Sequence, residues 1–414
     1  MADTPLSSKT RLIVLFVAFG GLLFDGMELG LMPIASLSIA KDLLRENFSA
    51  DLGGDWFAWL TASLLLGAAI GGIIFGGLGD QIGRARALGV SILFYSLFAG
   101  AGYFVTDLWQ MLALRFLVGL GVGGAWPNSV ALVSECWPSI SRPTVAGIVG
   151  AGINMGILIL SQVAGVWHIT PDSWRWLFAW STIPALLGFF ALFQLQESPT
   201  WLASRKSAST KKLPISELFS KEYLAPMMIG ILLGSIPLVG AWASSKWMLP
   251  WADQVGGNEH GYKATTQGYW AVGAVLGSFF GAQLANAAGR RFSYFAISLG
   301  STITTCSLFS LSAPLRIEFL PLVLCQGFIT TLFFGWLPLY LPELFPTRIR
   351  ATGTGIAYNI GRFATAIGVI IAGELLSLFN GSYAKVGATM GLVYALGMIV
   401  IWWAPDTSKK PLQE

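Results

Sequence analysis

Residues 76–86 read Gly76-Gly77-Leu78-Gly79-Asp80-Gln81-Ile82-Gly83-Arg84-Ala85-Arg86. One apolar run ends here and another begins at Ala87. Glycine supplies the backbone freedom of a tight reversal. A carboxylate and an arginine four residues apart can pair across one helical turn. The stretch is therefore the charged turn between two long apolar helices. Its pattern returns 206 residues later as Asn286, Gly289 and Arg290, in place of Asp80, Gly83 and Arg84. A second loop repeats as well. Glu135, Pro138, Arg142 and Gly147 recur 208 residues on as Glu343, Pro346, Arg350 and Gly355. Two loops repeating at half the chain length imply two copies of one unit in parallel orientation.

The segments around these loops are long enough to span a bilayer, which takes about 20 apolar residues. Twelve spans are expected, near 12–37, 56–78, 87–105, 109–133, 143–166, 175–195, 225–250, 266–287, 293–313, 318–341, 353–379 and 386–404. The 196–224 stretch carries Arg205, Lys206, Lys211, Lys212 and Lys221 and divides six spans from six. The expected organisation is a helical bundle over 1–195, a central loop over 196–224 and a second bundle over 225–414. The fold class is thus all-α membrane protein, with about twelve transmembrane helices in two pseudo-symmetric six-helix bundles.

Composition agrees. The 414 residues are 54% hydrophobic and 11% charged, with a net charge of +4; a soluble domain carries about 25% charged residues. A soluble enzyme, a disordered protein and a nucleic-acid binder are excluded on this ground. Three cysteines without a CxxC and two histidines without ligand spacing suggest neither a disulfide framework nor a metal site. The first apolar run is too long for a signal peptide. Arginine and lysine crowd alternate loops, among them Lys9, Arg11, Arg84, Arg86, Arg142, Arg290, Arg291, Arg348, Arg350, Lys409 and Lys410. The opposite loops hold only Lys41, Arg45, Lys263, Arg316 and Lys385. The positive-inside rule then puts both termini and the central loop in the cytoplasm; the expected location is a plasma membrane, the inner one of a bacterium.

Several motifs resemble those of the major facilitator superfamily. The 76–86 loop resembles its G-x-L-x-D-x-x-G-R-x-R turn. Arg115 with Gly119, Gly121, Gly123 and Gly124 resembles its fourth-span motif. Glu197-Ser198-Pro199 with Trp201, and Pro342-Glu343-Leu344-Phe345-Pro346-Thr347-Arg348, resemble elements of its sugar and organic-ion porters. The chain looks most like the metabolite:proton symporter branch, which carries organic, aromatic and sialic acids. The resemblance implies transport by alternating access. It implies a cytoplasmic latch built from Gly76, Asp80, Gly83, Arg84, Arg86, Glu135, Arg142, Glu343 and Arg350. Plain helix capping is the alternative for these residues.

Ionisable residues inside a span are costly and point to function. Asp25 and Glu28 lie mid-span and share a helix face. They are the expected proton-coupling pair, with Arg115 of span 4 as their partner; a permanent ion pair is the alternative. Arg362 in span 11 suits a bidentate grip on a substrate carboxylate, or else an internal ion pair. Asn154, Gln162 and Asn359, with the inner tryptophans Trp126 and Trp336, complete the candidate substrate surface; helix–helix bonding is as good an account of the amides, and packing against lipid or a neighbouring helix is the favoured alternative for the tryptophans. Lys246 sits near a span end, where a lysine is expected to snorkel to the interface. No ATP motif and no catalytic set is present, so the protein is expected to need no cofactor and to be no enzyme. The expected partners are a small-molecule substrate, protons and the lipid bilayer, with no nucleic acid and a monomeric state. The expected function is proton symport of a small organic anion. A neutral-metabolite porter such as a sugar carrier, an exporter, and a non-transporting receptor are the alternatives.

Overall fold

The computed structural model describes residues 6–137, 142–199, 201–202, 220–221, 223–256, 261–345 and 350–407, without the side chains of residues 134, 142–146 and 350–352. Among the described residues there is no strand. Twelve helices are long and apolar enough to cross a membrane. They are α1 (Ser8–Asn47), α2 (Ala50–Ile82), α3 (Arg84–Phe104), α4 (Leu108–Val133), α5 (Gly147–Val166), α6 (Arg175–Phe193), α7 (Leu224–Val255), α8 (Tyr262–Ala288), α9 (Arg290–Leu311), α10 (Phe319–Leu344), α11 (Gly353–Leu378) and α12 (Tyr383–Trp403).

Three boundaries depart furthest from the sequence expectation, one of them the start of α2, at Ala50 rather than at residue 56. Helix α1 runs through the stretch read as a connection after residue 37 and ends at Asn47. Ile39 and Ala40 are fully buried there, so packing rather than membrane thickness sets its length. Helix α7 continues to Val255, but it is not one regular helix. Its α-helical part stops at Val239, two residues after Pro237. A π-helical turn follows over Gly240–Ser244, then a 3-10 turn over Ser245–Trp247, then α-helix again over Met248–Val255. Proline removes a backbone donor, and π-helical turns absorb such mismatches. Tyr394 packs where a Cβ on Gly240 would stand, which holds the irregular turn against α12.

The chain divides into two compact units. The first comprises Met1–Leu29, Ser63–Gly156 and Arg175–Lys212; the second comprises Gly30–Ala62, Ile157–Trp174 and Leu213–Glu414.

In the first unit, Val17, Leu22, Leu88, Ile92, Tyr95, Val118 and Val122 form the core. Helices α2 and α4 meet backbone to backbone. A Cβ on Gly67 or Gly71 would overlap the carbonyl of Phe116 or Leu120, and one on Gly119 or Gly123 that of Leu64 or Ala68. Gly26 of α1 and Gly156 of α5 make an equally close crossing.

In the second unit, Met227, Leu233, Tyr294, Phe333, Trp336, Tyr340 and Tyr394 form the core. The α8–α10 pair repeats the glycine seam. Gly273, Gly277 and Gly281 abut the carbonyls of Leu324, Phe328 and Leu332, and Gly327 abuts that of Trp270. Gly273 and Gly277 stand 206 residues after Gly67 and Gly71. The repeat read in the loops thus extends into the packing of the spans.

Candidate functional site

Three charged side chains are buried inside the first unit. Asp25, Glu28 and Arg115 are 2%, 3% and 1% exposed. Arg115 donates to Glu28 Oε2 at 2.9 Å and to the Glu28 carbonyl at 3.0 Å. Both carboxylates lie within electrostatic reach of the buried Tyr95, whose hydroxyl donates to Gly21 O at 3.1 Å. Glycine at position 26 lets α5 approach this part of α1 closely. Sequence reasoning named all three charged groups, and the structure pairs Arg115 with Glu28.

The turn after α2 builds a second polar cluster in the same unit. Arg84 bridges Asp80 at 2.6 Å and Glu135 at 3.4 Å. Ser198 Oγ donates to Glu135 Oε2. The Glu197 carboxylate accepts from the Ala85 N–H at 3.0 Å, capping the positive end of α3. Trp201 donates its indole N–H to Asp80 O at 3.0 Å. Gly83 has φ +111° and leaves no room for a Cβ beside Glu197. Gly79 abuts Asn128 Oδ1, while Asn128 Nδ2 donates to Phe75 O and Gly124 O. Gly76 faces open space, so the close approach falls on Gly79 instead. Arg86 is exposed. Glu197 and Ser198 were legible only as a motif; their capping role comes from the fold.

The second unit carries the counterpart. Arg290 donates to Glu343 at 2.8 and 3.1 Å and to Asn286 Oδ1 at 3.0 Å. Thr407 Oγ1 donates to Glu343 Oε2, where the first unit uses Ser198 on Glu135. Gly289 has φ +83°. The side chains of Arg142 and Arg350, also assigned to the latch, lie outside the described residues, as do Pro138 and Pro346.

The substrate candidates differ in burial. Arg362 is half-buried, with its guanidinium carbon 5.2 Å from the Tyr358 ring centroid. Asn359 is half-buried, Asn154 is buried and Gln162 is exposed. Trp126 packs on the core of the first unit. Trp336 is fully buried, and its N–H donates to Arg290 O and Ser293 Oγ, each at 3.1 Å. It is a core residue that fastens the α8–α9 turn.

Within the second unit, the ends of α1, α7 and α8 are tied together. Lys263 Nζ lies 3.1 Å from Asp253 and donates to Ser38 Oγ at 3.0 Å. Ser38 donates to Ile169 O at 3.2 Å, and Trp174 donates to Asp42 at 2.9 Å. Trp247 stacks edge-on against Phe57 of α2 at 5.0 Å. Lys246, expected at the interface, is instead buried, with Nζ 3.3 Å from the Trp270 ring centroid. The irregular turn of α7 draws it inward.

A model of the Major Facilitator Superfamily matches residues 15–369. The chain belongs to the major facilitator superfamily. It is 29% identical to a cis,cis-muconate transport protein of Acinetobacter baylyi, over 99% of this chain and 98% of that one. It is 27% identical to the sialic acid transporter NanX of Escherichia coli, over 89% and 87%. Among solved structures, the xylose transporter XylE of E. coli, in a partially occluded inward-open conformation, matches with a TM-score of 0.77 at 20% identity, over 98% of this chain and all of that one. The facilitator is accordingly an integral membrane protein and a transporter of small metabolites, not an enzyme.

Proposed function

We propose that this facilitator is a proton symporter of small organic carboxylates, with both termini in the cytoplasm. One observation carries the proton coupling. Two carboxylates three residues apart on α1, Asp25 and Glu28, are buried almost out of reach of water, and the Arg115 guanidinium bonds to Glu28. With all three ionised the site holds a net negative charge, which burial disfavours. A proton on one carboxylate removes it, and opening to water releases that proton. Glu28, held by Arg115, and Asp25 are the groups that exchange the proton.

Muconate and sialic acid, named for two relatives, are both carboxylates, which supports an anionic substrate. Arg362 is the first candidate to grip it, with Asn154, Gln162, Asn359 and Trp126 contributing contacts. The halves 1–195 and 225–414 alternate access to the substrate in one chain acting as a monomer. The Asp80–Arg84–Glu135–Glu197 and Arg290–Glu343–Thr407 clusters latch the cytoplasmic ends.

The test is uptake of cis,cis-muconate into proteoliposomes under an imposed pH gradient. Wild type accumulates it. Asp25→Asn keeps exchange across the membrane but loses gradient-driven accumulation. Accumulation retained in full by both Asp25→Asn and Glu28→Gln refutes the coupling role.

A further inference from the structure

The irregular turn of α7 carries Lys246 into a buried position. Its side chain is 2% exposed and Nζ has no hydrogen-bond acceptor among the described residues. The ring of Trp270 lies 3.3 Å below it, with Trp242 at 5.9 Å. A ring face returns only part of what burial takes from an ammonium.

A second group in the same place is also unanswered. Gln267 is one helical turn before Trp270 on α8 and fully buried, and both of its amide atoms lack partners among the described residues. It faces Gly30 of α1. Trp270, Gln326 and Ser245, by contrast, are bonded to one another. Gln326 accepts the Trp270 N–H at 3.0 Å and donates to Ser245. Ser245 is 3.3 Å from Tyr394 Oη. That network fixes the ring and the α7 turn but leaves the ammonium and the amide free for something else. Irregular helix segments with unanswered polar groups are where carriers hold substrate.

We propose that Lys246 and Gln267 bind the carboxylate of the transported substrate, with its unsaturated or aromatic body against Trp270. The ammonium supplies charge-assisted donors and the Gln267 amide a further donor. The assignment rests on the organic-anion reading above, and it adds a grip on α7 and α8 to the one proposed for Arg362.

The experiment uses the full chain in lipid nanodiscs. Binding of cis,cis-muconate, benzoate and D-xylose is measured by calorimetry, and the Tm of the unliganded protein is recorded. Lys246→Met should weaken binding of the acids by about 30-fold or more, Lys246→Arg should restore part of it, and Gln267→Leu should weaken it less. Unliganded Lys246→Met should melt at or above the wild-type Tm, because it removes an unanswered buried charge. Unchanged acid affinity in Lys246→Met overturns the assignment and leaves the anion reading standing. Wild type that binds xylose and neither acid overturns both. If no probe binds, the melting result decides, and a lower Tm in Lys246→Met marks the lysine as structural. Loss of affinity that arginine does not restore, together with a lower Tm, has the same meaning.

Discussion

Replacing Arg115 by Met strands Glu28. The guanidinium is 1% exposed and makes two bonds to that residue, at 2.9 Å to the carboxylate and 3.0 Å to the carbonyl. Methionine fills similar volume but offers no donor. Removing one member of a buried pair destabilises by about 3–5 kcal/mol, whereas replacing both members by apolar groups is close to neutral. At roughly 2–4 °C per kcal/mol for a unit of this size, Arg115→Met should lower Tm on the order of 10 °C. The double variant Glu28→Met/Arg115→Met should recover most of that loss. The coupling measured by the cycle should then be about 3 kcal/mol or more, well beyond additivity. The assay is fluorescence-monitored thermal unfolding of the purified protein, with muconate uptake measured in parallel. The double variant should be stable and unable to concentrate substrate, which separates folding from coupling. A single variant within about 1 kcal/mol of wild type, or a double variant less stable than the single, refutes a buried, mutually dependent pair.

Two further outcomes concern the α2–α3 turn and the end of α4 at Cys136. Gly83→Ala meets both a φ of +111° and the Glu197 carboxylate, so it should cost about 1–3 kcal/mol and loosen the α3 cap, seen as faster amide exchange at Ala85. Burial, with Glu135 and Glu197 adding to it, pushes the Cys136 thiol up to about 12. Its thiolate fraction at pH 7.5 is then about 10³-fold below that of an ordinary thiol. In a Cys306→Ser/Cys325→Ser background, maleimide labelling should be correspondingly slow and should accelerate in Glu197→Gln; labelling at the rate of a free thiol would contradict this placement.

The twelve-helix fold was legible because hydropathy and charge repeat at half the chain length. The polar clusters were legible where sequence neighbours form them, as with Asp80 and Arg84. Glu28 and Arg115 stand 87 residues apart, and only their unusual place in apolar spans marked them. Lys246 was misread because a regular helix would carry it to the span end. The π and 3-10 turns over 240–247 have no signature beyond Pro237 and Gly240. Trp336 looked like a substrate platform because depth in a span does not say which way a ring faces. Its bonds to Arg290 and Ser293 do.

The glycine seams bear on the mechanics of transport. Where α2 meets α4, and again where α8 meets α10, no layer of side chains separates the two backbones. Such a layer is what yields when helices slide past one another. Without it, each pair behaves as a stiff double spar that transmits displacement along its length instead of absorbing it. Compliance must then reside in helices without a seam. Helix α7, with its hydrogen-bond ladder already interrupted over Gly240–Trp247, is the element that can flex while the spars keep their shape.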